Sequence, residues 1–337
     1  MSRTSRGVTP TGGSRLVREP YGWLAYLLAA GALALAAPLA AAVSPVLDAL
    51  CWVVLQGSSL TAVLVGIRRY GLGRLWAWRL IGTTVTLAWV GSAFFWGVGW
   101  TWLRLPAALS AYQITTLLSY GLGLVALTVL GLRSGGSRWA GLLDGAIITV
   151  GVAMPFWAFF INPVIDHSGY TGAELAFALV SPIVDLFLLG MILRMTLDSG
   201  RAPWLLLLSV SYVSLFVADG AYLLDLAAGR PAGALSTITW LGWAVLVGSA
   251  ALHPSVAAAG RLRPPVVSSR ARAATFLALA LLGPLASSLG PLLLGITPDP
   301  HDGIVVICLT VLLAVLLVLR LNLVARLAEN RALVLDH

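Results

Sequence analysis

The stretch Ile304-Val305-Val306-Ile307-Cys308-Leu309-Thr310-Val311-Leu312-Leu313-Ala314-Val315-Leu316-Leu317-Val318-Leu319 holds sixteen consecutive residues without a charge, and Arg320 ends it. A helix rising 1.5 Å per residue needs about 20 mostly apolar residues to cross a hydrocarbon core of roughly 30 Å. This run and its flanks meet that length. Neither Gly nor Pro interrupts the chain from Ile304 to Leu335, so the span is expected to leave the bilayer as one helix without a stop signal. Leu323, Leu327 and Val334 then fall on a heptad-like seam, with Asn330 between them. That pattern reads as the beginning of a signal-relay helix that dimerises and turns or slides as a rod. The plainer alternative is a solvated tail held by the span.

Nine similar runs precede it, centred near Ala32, Leu55, Ala88, Gly121, Val152, Asp185, Leu215, Val245 and Leu281. The sequence therefore predicts an all-α, polytopic integral membrane helical bundle of about ten transmembrane helices. Ala271–Leu294 contains Pro284 and Pro291, which predicts a kinked or partly re-entrant ninth span. Ala40-Ala41-Ala42 resembles a leader cleavage site. The apolar run before it exceeds the roughly 7 to 15 residues of a signal-peptide core, which favours an uncleaved first span. Three regions are expected: a disordered cytoplasmic tail over 1–20, a transmembrane domain over 21–325, and a cytoplasmic helical stub over 326–337.

Composition agrees with this reading. Only 10% of the 337 residues are charged and 59% are hydrophobic, whereas a soluble domain carries roughly 25% charged residues. The net charge of +8 does not point to nucleic acid, because the arginines are scattered through short loops and form no basic face. All 21 basic residues are arginine. Counted over alternate loops, 19 lie on one side, and only Arg104 and Arg230 lie on the other. Basic residues are retained on the cytoplasmic side during insertion. The expected location is the plasma membrane, with both termini cytoplasmic and the lipid bilayer as the principal partner. Cys51 and Cys308 lie in apolar runs, so no disulfide is expected.

Within the spans, an ionised Asp costs about 2.5 to 3.5 kcal/mol at the helix centre. Asp185 has Ser181 one turn away on the same face and Pro182 beside it, while Tyr212 and Tyr222 share the stripe of Asp219. The sixth and seventh spans are antiparallel neighbours, so the two acids are expected to face one another across a polar seam. Asp185, Asp219, Tyr212, Tyr222 and Ser181 are thus candidates for contacting a polar signal or cation. Alternatively, they are hydrogen-bonded groups that fix helix packing. Asp144, Asp48 and Asp225 lie near span ends, where water would solvate them.

Asp166, His167 and Glu174, with Asp299, His301 and Asp302, have no recognised metal-ligand spacing and read as loop solubility. His253 is expected to cap the eighth span. Gly57-Ser58-Ser59 lacks the trailing Gly and partner His of an intramembrane serine protease and reads as helix packing. Trp96, Trp100 and Trp102 read as interfacial anchors. Neither a metal site nor a cofactor is expected, and no catalytic constellation is found.

Four stretches carry a family resemblance. They are Leu142-Leu143-Asp144-Gly145-Ala146-Ile147-Ile148, Ser181-Pro182-Ile183-Val184-Asp185, Ala218-Asp219, and Gly248-Ser249-Ala250-Ala251-Leu252-His253-Pro254-Ser255. They resemble the N-terminal membrane regions of actinobacterial GGDEF/EAL signalling proteins. The similarity runs from about Leu142 onward and includes RLAENRALVLDH (326–337), which looks like the linker before a cyclase domain. The resemblance implies a sensory or anchoring module that governs cyclic-di-GMP metabolism through a missing or separate cytoplasmic output domain or protein. No GGDEF or EAL motif is present, so no catalytic residue is carried over and the chain itself is not expected to be an enzyme. The competing reading is a proton-linked transporter or permease using the Asp185 and Asp219 seam. The two five-span halves show no inverted repeat in its favour.

Overall fold

The computed structural model describes residues 21–99, 102–131, 138–167, 169, 172–198, 202–261 and 300–335, with isolated positions 278, 281 and 285. The chain is an all-α polytopic membrane bundle. Its helices are α1 (Gly22–Val43), α2 (Pro45–Arg69), α3 (Trp76–Ser92), α4 (Pro106–Gly131), α5 (Arg138–Phe156), α6 (Asn162–His167), α7 (Gly172–Asp198), α8 (Pro203–Ala227), α9 (Ala234–Leu252) and α10 (Pro300–Leu335). Among the described residues, nine segments are long and apolar enough to cross a membrane. Apart from positions 278, 281 and 285, the ninth sequence run, Ala271–Leu294, lies outside the described residues, as does the tail over 1–20.

Local chemistry explains several helix boundaries. Ser44 accepts the Val46 N–H at 3.2 Å and Pro45 opens α2, where a missing N–H costs nothing. Gly71 and Gly229 adopt left-handed φ values of +66° and +65° just past α2 and α8, a conformation that carries no Cβ penalty in glycine. π-helical turns extend two spans, over Ala93–Gly99 after α3 and Trp157–Ile161 after α5.

Packing is organised around α9, which contacts α1, α2 and α8, and around α7, which contacts α4, α5 and α8. Small residues permit the closest crossings. A Cβ on Gly66 would come within 2.2 Å of the Ala251 carbonyl oxygen, and one on Gly190 within 2.2 Å of Thr149 Oγ1. Gly57-Ser58-Ser59 is likewise a packing element. Ser59 donates to the Ala244 carbonyl at 2.5 Å, Ser58 to Leu55 at 2.7 Å, and Gly57 lies against Trp89.

The half of the bundle nearer the arginine-rich loops is solid. Trp78, Trp204, Leu127, Leu130, Ile192 and Met195 are fully buried there, and the Trp78 and Trp204 rings sit 5.9 Å apart. At the end of α9, the His253 N–H caps the Ser249 carbonyl, as the sequence leads one to expect. Its ring Nδ1 accepts the Ser255 N–H at 3.1 Å, and Ser255 Oγ accepts the Trp204 N–H at 3.1 Å. The turn after α9 is thereby tied to the start of α8.

The last helix stands apart from this centre. It packs on α5 through Leu313 against Ile147, Val150 and Met154, and most of its apolar side chains face outward, as lipid contact requires. Asp144 departs from the sequence expectation of a solvated helix end. It is buried and paired with Arg320, because α10 covers it. α10 continues as helix to Leu335, through Leu323, Leu327, Asn330 and Val334. Leu323 is half-buried, whereas the side chains of the other three lie outside the described residues.

Candidate functional site

A cavity of about 410 Å³ occupies the other half of the bundle, enclosed by α2, α3, α4, α7, α8 and α9. Leu109, Phe177 and Ala232 line it toward the arginine-poor end, and Thr84, Leu188 and Tyr212 line its inner end. Beyond these begins the packed half described above. α4 supplies one wall through Tyr112, Thr116, Ser119, Tyr120 and Gly123, spaced by four, three, one and three residues on one helical stripe. α3 supplies Ala88, Ser92 and Trp96 at steps of four, the last from its π-helical extension. A π turn shifts side-chain phase relative to a continuous α-helix, a feature frequent at functional sites.

Asp219 lies on the cavity wall and is buried, at 4% exposure. Its Oδ2 accepts the Tyr120 hydroxyl at 2.9 Å and its Oδ1 accepts the Trp240 indole N–H at 2.5 Å. Both donors suit an anionic acceptor, since hydrogen bonds to a charged carboxylate are the stronger kind. Asp185, at 1% exposure, lies close behind it. Neither Asp185 oxygen receives a donor from the described residues. Two ionised carboxylates placed so close would repel one another. Thus the acids meet between α7 and α8, but only Asp219 reaches the cavity.

Of the remaining sequence candidates, Ser181, Tyr212 and Tyr222 all line the cavity. The donors to the Asp219 carboxylate described above, Tyr120 and Trp240, were not among those candidates. The Tyr222 ring lies 5.6 Å from Trp240, and Trp52 stacks on Trp96 at 5.8 Å and 13°. Trp96 is therefore a cavity residue and not the interfacial anchor expected, because it continues the inward face of Ala88 and Ser92. Trp102 is 71% exposed. Pro182, also on the wall, has no N–H to offer the carbonyl of Ala178 one turn earlier.

Three further cavity residues hold polar atoms that are buried and have no partner among the described residues: Gln56 Oε1, Thr84 Oγ1 and Trp243 Nε1. Buried polar groups are normally satisfied, so such atoms on a cavity wall mark places where a bound molecule would be recognised. Among the described residues, no Arg, Lys or His lines the cavity.

Sequence reasoning missed Tyr120, Trp240, Trp52 and Gln56. The α4 stripe was the available signal, since polar residues at helical spacing in an otherwise apolar span must face protein or water. Outside the cavity the polar clusters have structural roles. Asp225 pairs with Arg230 at 3.0 Å and accepts the Gly233 N–H at 2.9 Å, folding the α8–α9 loop. Asp166 accepts a hydrogen bond from Asn162 at 3.2 Å. The side chains of His167, Glu174, His301 and Asp302, and Asp299 altogether, lie outside the described residues. No group of three metal-binding side chains occurs among the described residues. No family model, curated protein or solved structure matches the chain.

Proposed function

We propose that this protein is a membrane-embedded sensory module, which receives a small ligand in its central cavity and relays occupancy through α10. One observation carries the reading: the cavity has a wall of recognition groups toward the arginine-poor end and a tightly packed floor of Trp78, Trp204, Ile192 and Met195 beneath it. A receptor needs an opening on one side only, whereas a transporter needs a path that alternates between two. Positive-inside orientation puts the cavity on the outer side and the end of α10 in the cytoplasm.

The route for a signal is physical. α7 contacts both the cavity helices α4 and α8 and the peripheral α5, and α5 in turn holds α10. Binding against Asp219 and its neighbour Asp185 would shift α7 against α5, and the buried Asp144–Arg320 pair would pass that shift to α10. The resemblance to the membrane regions of GGDEF/EAL proteins supports a cyclic-di-GMP output at the cytoplasmic end.

Cysteine accessibility tests the reading. With Cys51 and Cys308 replaced by Ala, single cysteines at Gln113 and Thr116 should react with a membrane-impermeant maleimide only from the side that also labels a cysteine at Gly169. Labelling of the same positions from both sides would favour the proton-linked transporter and overturn the sensor.

A further inference from the structure

We infer that the cavity binds a small organic cation, an amine or quaternary ammonium held between the Asp219 carboxylate and the surrounding tryptophan and tyrosine rings. The inference rests on the cavity being the ligand site and names the class of ligand.

Charge is the first argument. Among the described residues, Asp219 is the acid on the wall and no basic side chain lines the cavity to balance it. An anionic ligand would enter a desolvated space against a carboxylate with no compensating charge, which is strongly unfavourable. A cation entering the same space completes a pair. Its carboxylate is already oriented by the Tyr120 hydroxyl and the Trp240 N–H. Preorganisation of this kind lowers the ordering cost of binding.

Aromatic content is the second, independent argument. Trp52, Trp96, Tyr112, Tyr222, Trp240 and Trp243 all line the space. Desolvated cations are attracted to the faces of such rings, with quaternary ammonium the best-suited ligand. A bare metal ion finds no equivalent match, because no three carboxylate, His or Cys ligands gather among the described residues. The volume of about 410 Å³ also exceeds what an inorganic ion needs and falls in the range of small-molecule sites, roughly 300 to 1,000 Å³. Gln56, Thr84 and Trp243 remain to hydrogen-bond a hydroxyl or carbonyl elsewhere on the ligand. A bifunctional molecule with a cationic head and a polar tail fits all of these features.

The test uses the full chain in nanodiscs, with choline as the cationic probe and 3,3-dimethylbutan-1-ol as its uncharged carbon isostere, followed by tryptophan fluorescence and calorimetry. Choline should bind and quench fluorescence, and the isostere should bind at least tenfold more weakly. Asp219→Asn should lose at least tenfold in choline affinity. Asp185→Asn should stay within about threefold, because Asp185 does not line the cavity. Equal binding of the two probes, or an unchanged affinity in Asp219→Asn, would overturn the cation assignment. Should Asp219→Asn fail to fold, the probe comparison on the native chain decides alone. Absence of binding by choline, tetramethylammonium and phenyltrimethylammonium at millimolar concentration also rejects the ligand class. The one-sided cysteine labelling described above would still stand as the separate test of the sensor.

Discussion

Asp144 of α5 and Arg320 of α10 form a buried ion pair, with Nε donating to Oδ1 at 2.5 Å and Nη2 to Oδ2 at 3.3 Å. Among the described residues it adds an ionic clasp to a helix held on α5 largely by apolar contacts. Removing one partner of a buried pair strands the other charge, at a cost of about 3 to 5 kcal/mol. Asp144→Ala should therefore release α10 from α5. Cysteines at Met154 and Thr310, whose native side chains approach to 3.8 Å, report the contact by disulfide cross-linking. Cross-linking should fall severalfold in Asp144→Ala and recover partly in the charge-exchanged Asp144→Arg/Arg320→Asp. Unchanged cross-linking in the single variant would show that the clasp does not hold α10.

Glycines at helix crossings should divide sharply by their surroundings. Gly66→Ala drives a methyl into the Ala251 backbone carbonyl, so α2 and α9 must separate. Overpacking of this kind costs about 1 to 3 kcal/mol and lowers the melting temperature measured in detergent. Gly121→Ala, with nothing within 4 Å of the new methyl, should be neutral or slightly stabilising through its better helix propensity. Equal melting temperatures for the two variants would contradict the α2–α9 crossing.

His253 adds a pH dependence at the end of α9. Partial burial holds its pKa below the usual imidazole value, and the ring is held through the Ser255 N–H donated to Nδ1. A depressed histidine pKa means that the unfolded chain binds the proton more readily. The contribution to stability is therefore present above the unfolded pKa of about 6.5 and is lost as pH falls toward and through the lower folded value. Amide exchange at Val256 and Ala259 should accelerate below about pH 6.5 once corrected for intrinsic rates, and His253→Gln should remove that extra acceleration. A pH response that survives in His253→Gln would assign it to another group.

Much of the architecture was legible because lipid imposes a single rule on every span: about 20 apolar residues between polar loops. Nine of the ten runs read from hydropathy appear as membrane-length helices. The meeting of Asp185 and Asp219 was also foreshadowed, since consecutive antiparallel spans place residues of similar depth side by side. Their true partners were not. Tyr120 and Trp240 come from α4 and α9, and no sequence periodicity tells which two non-consecutive helices converge on a carboxylate.

Tryptophan shows the same division. End-of-span position predicted an interfacial role for Trp96, but in the folded chain it faces the cavity and stacks on Trp52. Asp144 was placed near water by its position in the sequence and buried by a helix arriving 176 residues later. The sequence by itself determined the number of apolar runs, the arginine asymmetry and the uninterrupted final helix, because these follow from transfer free energy and backbone propensity summed along the chain. Only the tertiary structure decided which polar groups face a cavity, which face one another and which face lipid. Those outcomes depend on helix rotation and close approach at small residues, which a chain hydrophobic all round leaves unspecified until its helices pack.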